Sequence, residues 1–203
     1  MKQLRNMLGS AWNTAALALL LSGCAPGLGS SIELVPIKTP EESSPVLRGQ
    51  AASIHLQLRP FVDARPSSAV AEIKGREVLP SGDVAALVQS AFEARLKDAG
   101  VEISDPNAPI VGGQVEMWLV RVVPDFPASQ ASAEAVLTVE VSSLDNQSMY
   151  RGRYSGSTTI KHPLLNDMKI ADALSQAMGY AIDEALKDER LLTKIARVYR
   201  PIY

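Results

Sequence analysis

Cys24 is the only thiol in the 203 residues. It cannot close an internal disulfide, and one Cys with two His does not build a common zinc site without carboxylates. The residues before it give the thiol another task. Leu21-Ser22-Gly23-Cys24 sets a branched apolar residue and two small ones directly ahead of the sulfur. This string has the form of a bacterial lipobox. The thiol accepts a diacylglycerol as a thioether, and the small residues let a peptidase reach the bond before Cys24.

The upstream segment agrees. Lys2 and Arg5 make a short basic start, no acidic residue precedes Glu33, and the apolar stretch is densest over residues 15–21. That stretch is far shorter than the ~20 apolar residues of a membrane-crossing helix. The expectation is a lipoprotein signal peptide over residues 1–23, then S-diacylglycerol and N-acyl chains on Cys24. At ~0.8 kcal/mol per buried methylene, several acyl chains anchor a protein stably where one does not. Residue 25 is Ala, not the Asp of the inner-membrane retention signal in enteric bacteria. This points to the outer membrane, with the domain facing the periplasm. Cleavage also removes Lys2 and Arg5, leaving 18 basic residues against 22 acidic ones, a formal charge of −4.

The other reactive side chains are scattered. His55 falls on the polar side of a strand pattern and His162 precedes Pro163. Neither has ligand spacing, and both are expected to face solvent. Ser155-Gly156 lacks the G-x-S-x-G pattern and the strand-to-helix setting of a nucleophile elbow. Gly112-Gly113 lies inside a strand pattern, so it reads as a bulge and not as a phosphate loop. Asp63 and Arg65, two apart at a strand end, can point to one face. They form an ion pair or turn cap, with partner contact as the functional alternative. Arg121, Arg151 and Arg153, near Tyr150 and Tyr154, read as a solvated sheet face. The only carboxylate pair to nominate for acid–base work is Asp63 with Glu72 or Glu77. No pattern calls for a cofactor or a metal.

These residues must be positioned by a domain of ordinary composition. With 46% hydrophobic and 21% charged residues, and Lys+Arg 20 against Asp+Glu 22, the chain is neither a disordered tail nor a nucleic-acid binder. Residues 24–49 are rich in Pro, Gly and Ser and read as the lipidated Cys and its tether, in which Ile32-Glu33-Leu34-Val35 can dock as a short edge strand ended by Pro36. Residues 50–203 read as one α+β domain. Ile54, Leu56 and Leu58 alternate with polar residues as a first strand; Val70, Ile73 and Val78 mark a second, broken at Pro80-Ser81-Gly82.

A helix over residues 83–99 follows, with Val84, Leu87, Val88, Ala91, Phe92 and Leu96 on one stripe, Ser81 or Gly82 as cap and Gly100 as stop. Three strands come next. The first carries Val111, Val115, Met117 and Leu119 near one face, with Trp118, Val120 and Val122 on the other. A one-sided strand over residues 135–141 and a hairpin return over 149–160 complete the set. The last large helix, residues 168–188, has a wide apolar face and Asn166 or Asp167 as cap. A shorter amphipathic helix carries Leu191, Leu192 and Ile195. The order predicts a mostly antiparallel sheet of about five strands with two main helices packed on one face.

On these residues the chain resembles the YajG-like family of uncharacterised bacterial outer-membrane lipoproteins. The likeness rests on the lipobox, Ile32-Glu33-Leu34-Val35-Pro36, Asp63-Ala64-Arg65, the helix ending at Gly100, and Ile170-Ala171-Asp172-Ala173-Leu174 opening the last helix. A longer segment over residues 124–132 and an extended tail over 197–203 depart from it. The resemblance implies an α+β lipoprotein without known catalytic residues. The expected function is a non-catalytic envelope module, held to the membrane by its N-terminal lipid and binding an envelope protein or peptidoglycan through a sheet face or edge. The alternative is an enzyme acting on an envelope polymer through the acids near Asp63.

Overall fold

The computed structural model describes residues 31–38, 45–51, 54–103 and 105–198. The expected signal peptide, Cys24 and residues 199–203 of the tail lie outside the described residues. The chain opens with β1 (Ser31–Glu33), α1 (Pro45–Gln50), β2 (His55–Leu58) and β3 (Val62–Asp63). It continues with β4 (Ala71–Ile73), β5 (Arg76–Ser81), α2 (Val84–Asp98) and β6 (Glu102–Ile103). Three long strands follow, β7 (Ile110–Val123), β8 (Ser129–Ser142) and β9 (Ser148–His162), and then α3 (Asp167–Lys187) and α4 (Glu189–Val198).

The three long strands pair as an antiparallel meander. The other edge of β7 carries β2, β3 and β4 in succession, each parallel to it: Gln57 pairs with Ile110, Asp63 with Val115, and Ile73 with Val122. They form one interrupted strand running beside β7. β5 folds back on β4 through Lys74 and Gly75, whose φ angles of 52° and 73° are left-handed, and β1 adds to β5 in parallel. The mostly antiparallel sheet of five strands is thereby corrected to a mixed sheet of nine strands among the described residues. The parallel partners are far apart in sequence, so their direction is set by packing and leaves no local signature.

The faces of β7 also differ from expectation. The register with β8 shifts between Val115 and Met117, so Glu116 is a bulge. The extra residue restarts the alternation. Val111, Val115, Trp118, Val120 and Val122 therefore share the packed face, while Met117 and Leu119 share the opposite one. Gly112 and Gly113 sit in regular register instead, and Gly113 is bare because the Phe61 ring lies where its Cβ would be, 2.4 Å away.

The helices cover one face of the sheet, where the core lies. α2 starts at Asp83, not at Ser81 or Gly82, because the Asp83 carboxylate accepts the Ala86 N–H at 3.0 Å. Gly100, at φ 90°, follows its last turn. Asn166 caps α3 through the Lys169 N–H. α3 crosses the meander with Ile170, Leu174, Met178 and Ile182 fully buried. Trp118 donates its indole N–H to the Leu174 carbonyl at 2.8 Å, which fixes the height of the helix over β7. Arg95 of α2 and Asp183 of α3 form a buried ion pair between the helices, and burial lowers the Arg95 pKa.

Residues assigned to the tether belong in part to this core. Ile32, Ile37 and Leu47 are buried. The strand continues as a strap along α3: Ser175 donates to the Pro36 carbonyl at 3.0 Å and accepts the Lys38 N–H at 2.6 Å. The Lys38 carbonyl lies 2.3 Å from where a Cβ on Gly179 would stand. A domain cut at residue 50 would lose all of these contacts.

Candidate functional site

The face of the meander away from the helices carries polar and charged side chains together with Met117, Leu119 and Val136. Its centre is built by the bulge. Glu116 reaches across β8 to Arg153 of β9, 2.7 Å to Nε, and also accepts the Thr138 hydroxyl at 2.7 Å. Arg153 and Thr138 hold the Glu116 carboxyl below its ordinary range. Arg151 bonds Gln114 at 3.2 Å, and Arg121 lies 3.6 Å from Glu72. Arg121 thus pairs near the far end of β7, while Arg151 and Arg153 stand together beside Gln114 and Glu116. Beside them Arg59, Val62, Gly112, Gln114, Thr138 and Glu140 line a shallow cavity of about 120 Å³. That is below the ~300 Å³ at which small-molecule sites begin.

β9 is an edge strand among the described residues, pairing only with β8. The Ser155 N–H is accepted by Glu184 of α3 at 3.0 Å and so points outward. In an antiparallel ladder the outward groups recur at every second residue. Arg151, Arg153, Ser157, Thr159 and Lys161 therefore present N–H and C=O groups beyond the sheet. Ser148–His162 contains no acidic residue, so the edge is basic.

The nominated catalytic acids are not brought together. Asp63 pairs with Val115 and Glu72 with Arg121 in the β7 ladder. At ~3.3 Å per residue that separates them by roughly 20 Å, well beyond the ~10 Å that a pair of glycosidic carboxylates can span. Glu77 stands directly opposite Glu72, and so is equally remote. Asp63 and Arg65 do meet: Nε and Nη2 of Arg65 each lie 2.8 Å from a carboxylate oxygen, and Nη1 donates to the Ala69 carbonyl at 3.0 Å. The pair clamps the loop between β3 and β4. The Arg65 hydrogen bond keeps the Asp63 carboxyl below its usual value.

His55 does not face open solvent. It is half-buried, with Nδ1 3.0 Å from Glu102 and 3.9 Å from Asp105. The β2–β6 pairing, unreadable in the sequence, creates that neighbourhood. His162 accepts the Leu164 N–H at 3.0 Å and stabilises a loop. Among the described residues no group of three His, Cys, Asp or Glu side chains could hold a metal, and no helix is long and apolar enough to cross a membrane.

Tyr150 and Tyr154 belong to the other face, where they donate to Asp188 at 2.5 and 2.8 Å. The second Asp188 oxygen accepts the Arg190 N–H at 2.8 Å at the start of α4. One carboxylate thus fastens the corner between α3 and α4 to β9. Burial pushes the Tyr154 hydroxyl pKa up, with Tyr150 and Asp188 adding to it. For Asp188 burial acts upward, but the two hydroxyls and the backbone N–H groups outweigh it and its pKa falls below 3.8. Its contribution to stability is therefore complete above the unfolded value and fades as pH drops through the lower folded one. Asp188→Ala should cost about 3 kcal/mol, from a lost cap and two stranded hydroxyls. Asp188→Asn should cost less and should flatten the acid limb of stability, as urea titrations between neutral and acid pH would record.

Comparison with known proteins finds similar chains. The crystal structure of a protein from Xanthomonas campestris superimposes with a TM-score of 0.52 at 12% identity, covering 82% of this chain and 97% of that one. A minor lipoprotein from Acinetobacter baumannii matches at a TM-score of 0.38 and 12% identity, over 71% of this chain and 92% of that one. No curated relative matches the chain. Residues 45–196 match the family described as "Uncharacterized lipoprotein". From α1 into α4 the match takes in the meander and the helices that cover it, and the chain belongs to this family of bacterial lipoproteins.

Proposed function

We propose that the chain is a non-catalytic module of the bacterial envelope, tethered through acylated Cys24 to the outer membrane and facing the periplasm, which receives an extended segment of an envelope protein along β9. Within the lipoprotein family its place is the YajG-like branch, on the motifs quoted above. The observation that carries the binding role is the β9 edge, whose outward backbone groups on both sides of the one that Glu184 covers have no partner among the described residues. Natural edges left unprotected invite strand addition. A peptidoglycan strand offers no backbone ladder, so a protein is the partner that this edge fits. The separation of Asp63 from Glu72 and Glu77 speaks against the enzyme reading.

A photo-crosslinking residue at Ser157 tests this in cells. It should yield a discrete adduct that the same residue at Glu93 on α2 does not. Ser157→Pro removes an outward N–H that the ladder does not use, so it should keep the fold and abolish adducts captured from Thr159. Equal, diffuse capture from Ser157 and Glu93 would remove the binding role.

A further inference from the structure

The four most exposed large apolar side chains described, Phe126 (93%), Leu164 (79%), Met168 (69%) and Val123 (60%), all lie at one end of the sheet. The register brings them there. Val123 pairs with Gln130 and Gln130 with Lys161, so the β7–β8 turn that holds Phe126 stands beside the end of β9. Leu164 follows that strand end, and Met168 is in the first turn of α3. Such clustering is uncommon on a surface that has no use for it.

The chain enters the fold at this same end. Ser31, Leu34 and Val35 line one open groove with Met168, and the strap then runs away along α3 to Ser175 and Gly179. Ser31 is seven residues after Cys24, a reach of roughly 25 Å at full extension. We propose that Val123, Phe126, Leu164 and Met168 form a membrane-contact tip seated in the lipid interface beside the acyl chains of Cys24. This rests on the reading of Cys24 as the lipid-bearing residue.

Charge fits the same occupant. Lys74 in the β4–β5 turn, Arg76 at the start of β5, Lys161 near the end of β9 and Lys169 on α3 lie at this same end. Asp125, Asp167 and Glu33, which lines the groove with Met168, are the acids among them; Glu77 stands opposite Glu72, with which Arg121 is paired. Apolar side chains with Lys and Arg nearby suit an interface with anionic headgroups, where long basic side chains reach the phosphates while their stems stay apolar. A lipid tether a few residues long also keeps this end at the bilayer, which a separate protein partner would have to displace. With the tip in the interface, strands of 14 and 15 residues rise up to ~45 Å from it. The β9 edge then stands free above the membrane.

The test uses the full chain, purified from membranes and reconstituted in phosphatidylethanolamine–phosphatidylglycerol vesicles with bromine on the acyl chains. Phe126→Trp and Leu164→Trp are compared with Leu144→Trp in the β8–β9 turn at the far end; buried Trp118 is a common background. Brominated lipid should reduce the added emission of the first two roughly twofold and leave the third unchanged. Equal quenching at the three sites, or none, in protein whose Cys24 carries fatty acid would overturn the tip and leave the anchor standing. Protein without fatty acid on Cys24 would overturn the anchor and the tip together.

Discussion

Gly156→Ala should separate α3 from the sheet. A Cβ at this position would stand 2.0 Å from the Ala177 carbonyl and 2.6 Å from the Ala181 nitrogen, both backbone atoms of the helix. Neither can turn aside as a side chain can, so the whole helix must lift. Its buried face runs the length of the helix, from Ile170 to Leu186. A loss of about 3 kcal/mol or more, and a fall in Tm of about 10 °C, is expected. Gly112→Ala is the control. Its Cβ would meet only Arg59 at 3.9 Å, so its melting curve should stay close to that of the wild type. If the two variants melt alike, α3 does not rest on β9 as described.

Leu174→Asp should be as severe for a different reason. Leu174 is fully buried and its carbonyl holds the Trp118 indole. An aspartate there has no cation to pair with and must either be buried charged or take up a proton. A cost of about 4 kcal/mol or more is expected, a large share of a typical stability of about 5–15 kcal/mol. Leu174→Met keeps the volume and should cost less than about 1.5 kcal/mol. Denaturant midpoints of the pair measure this. A soluble Leu174→Asp protein with an unchanged midpoint would mean that this face of α3 is not core.

The elements most legible in the sequence are those whose signal is local. The apolar stripes of α2 and α3 and the period-two stretches of β7, β8 and β9 each lie within one window, and the structure follows them to within a few residues except at β8, which begins six residues before the expected 135–141. What was not legible depends on partners distant in the chain. Val70, Ile73 and Val78 read as one strand because Lys74-Gly75 is not among the usual hairpin turns, yet it carries the left-handed angles that reverse the chain. Parallel pairing of β2, β3 and β4 with β7 leaves no mark in any single segment. The bulge at Glu116 did leave one: buried Val115 and Trp118 are three apart, which breaks strict alternation. Read as a bulge, that spacing would have placed Glu116 among Thr138 and Arg153.

The candidate site was legible in the same uneven way. Arg151 and Arg153 were visible as a charged sheet face, but the β9 edge follows only from strand order. The strap formed by residues 31–38 was legible in part: Ile32-Glu33-Leu34-Val35 reads as a short edge strand and β1 does add to β5, but the Pro, Gly and Ser around it suggest a free linker. Its docking depends on Ser175 and Gly179, two small residues inside the apolar face of a helix. The apolar tip leaves no local signal because Phe126, Leu164 and Met168 sit in turns and a first helical turn, outside every periodic pattern.

The acylation of Cys24 is the point on which the envelope role turns. Cells fed labelled fatty acid should incorporate it into the wild-type chain. The mass of the mature protein should equal residues 24–203 plus a diacylglycerol and an acyl group. Cys24→Ala should incorporate none and persist as the uncleaved precursor, because no other thiol can receive the lipid. Undiminished labelling of Cys24→Ala, or a wild-type chain that matures without lipid, would contradict the account.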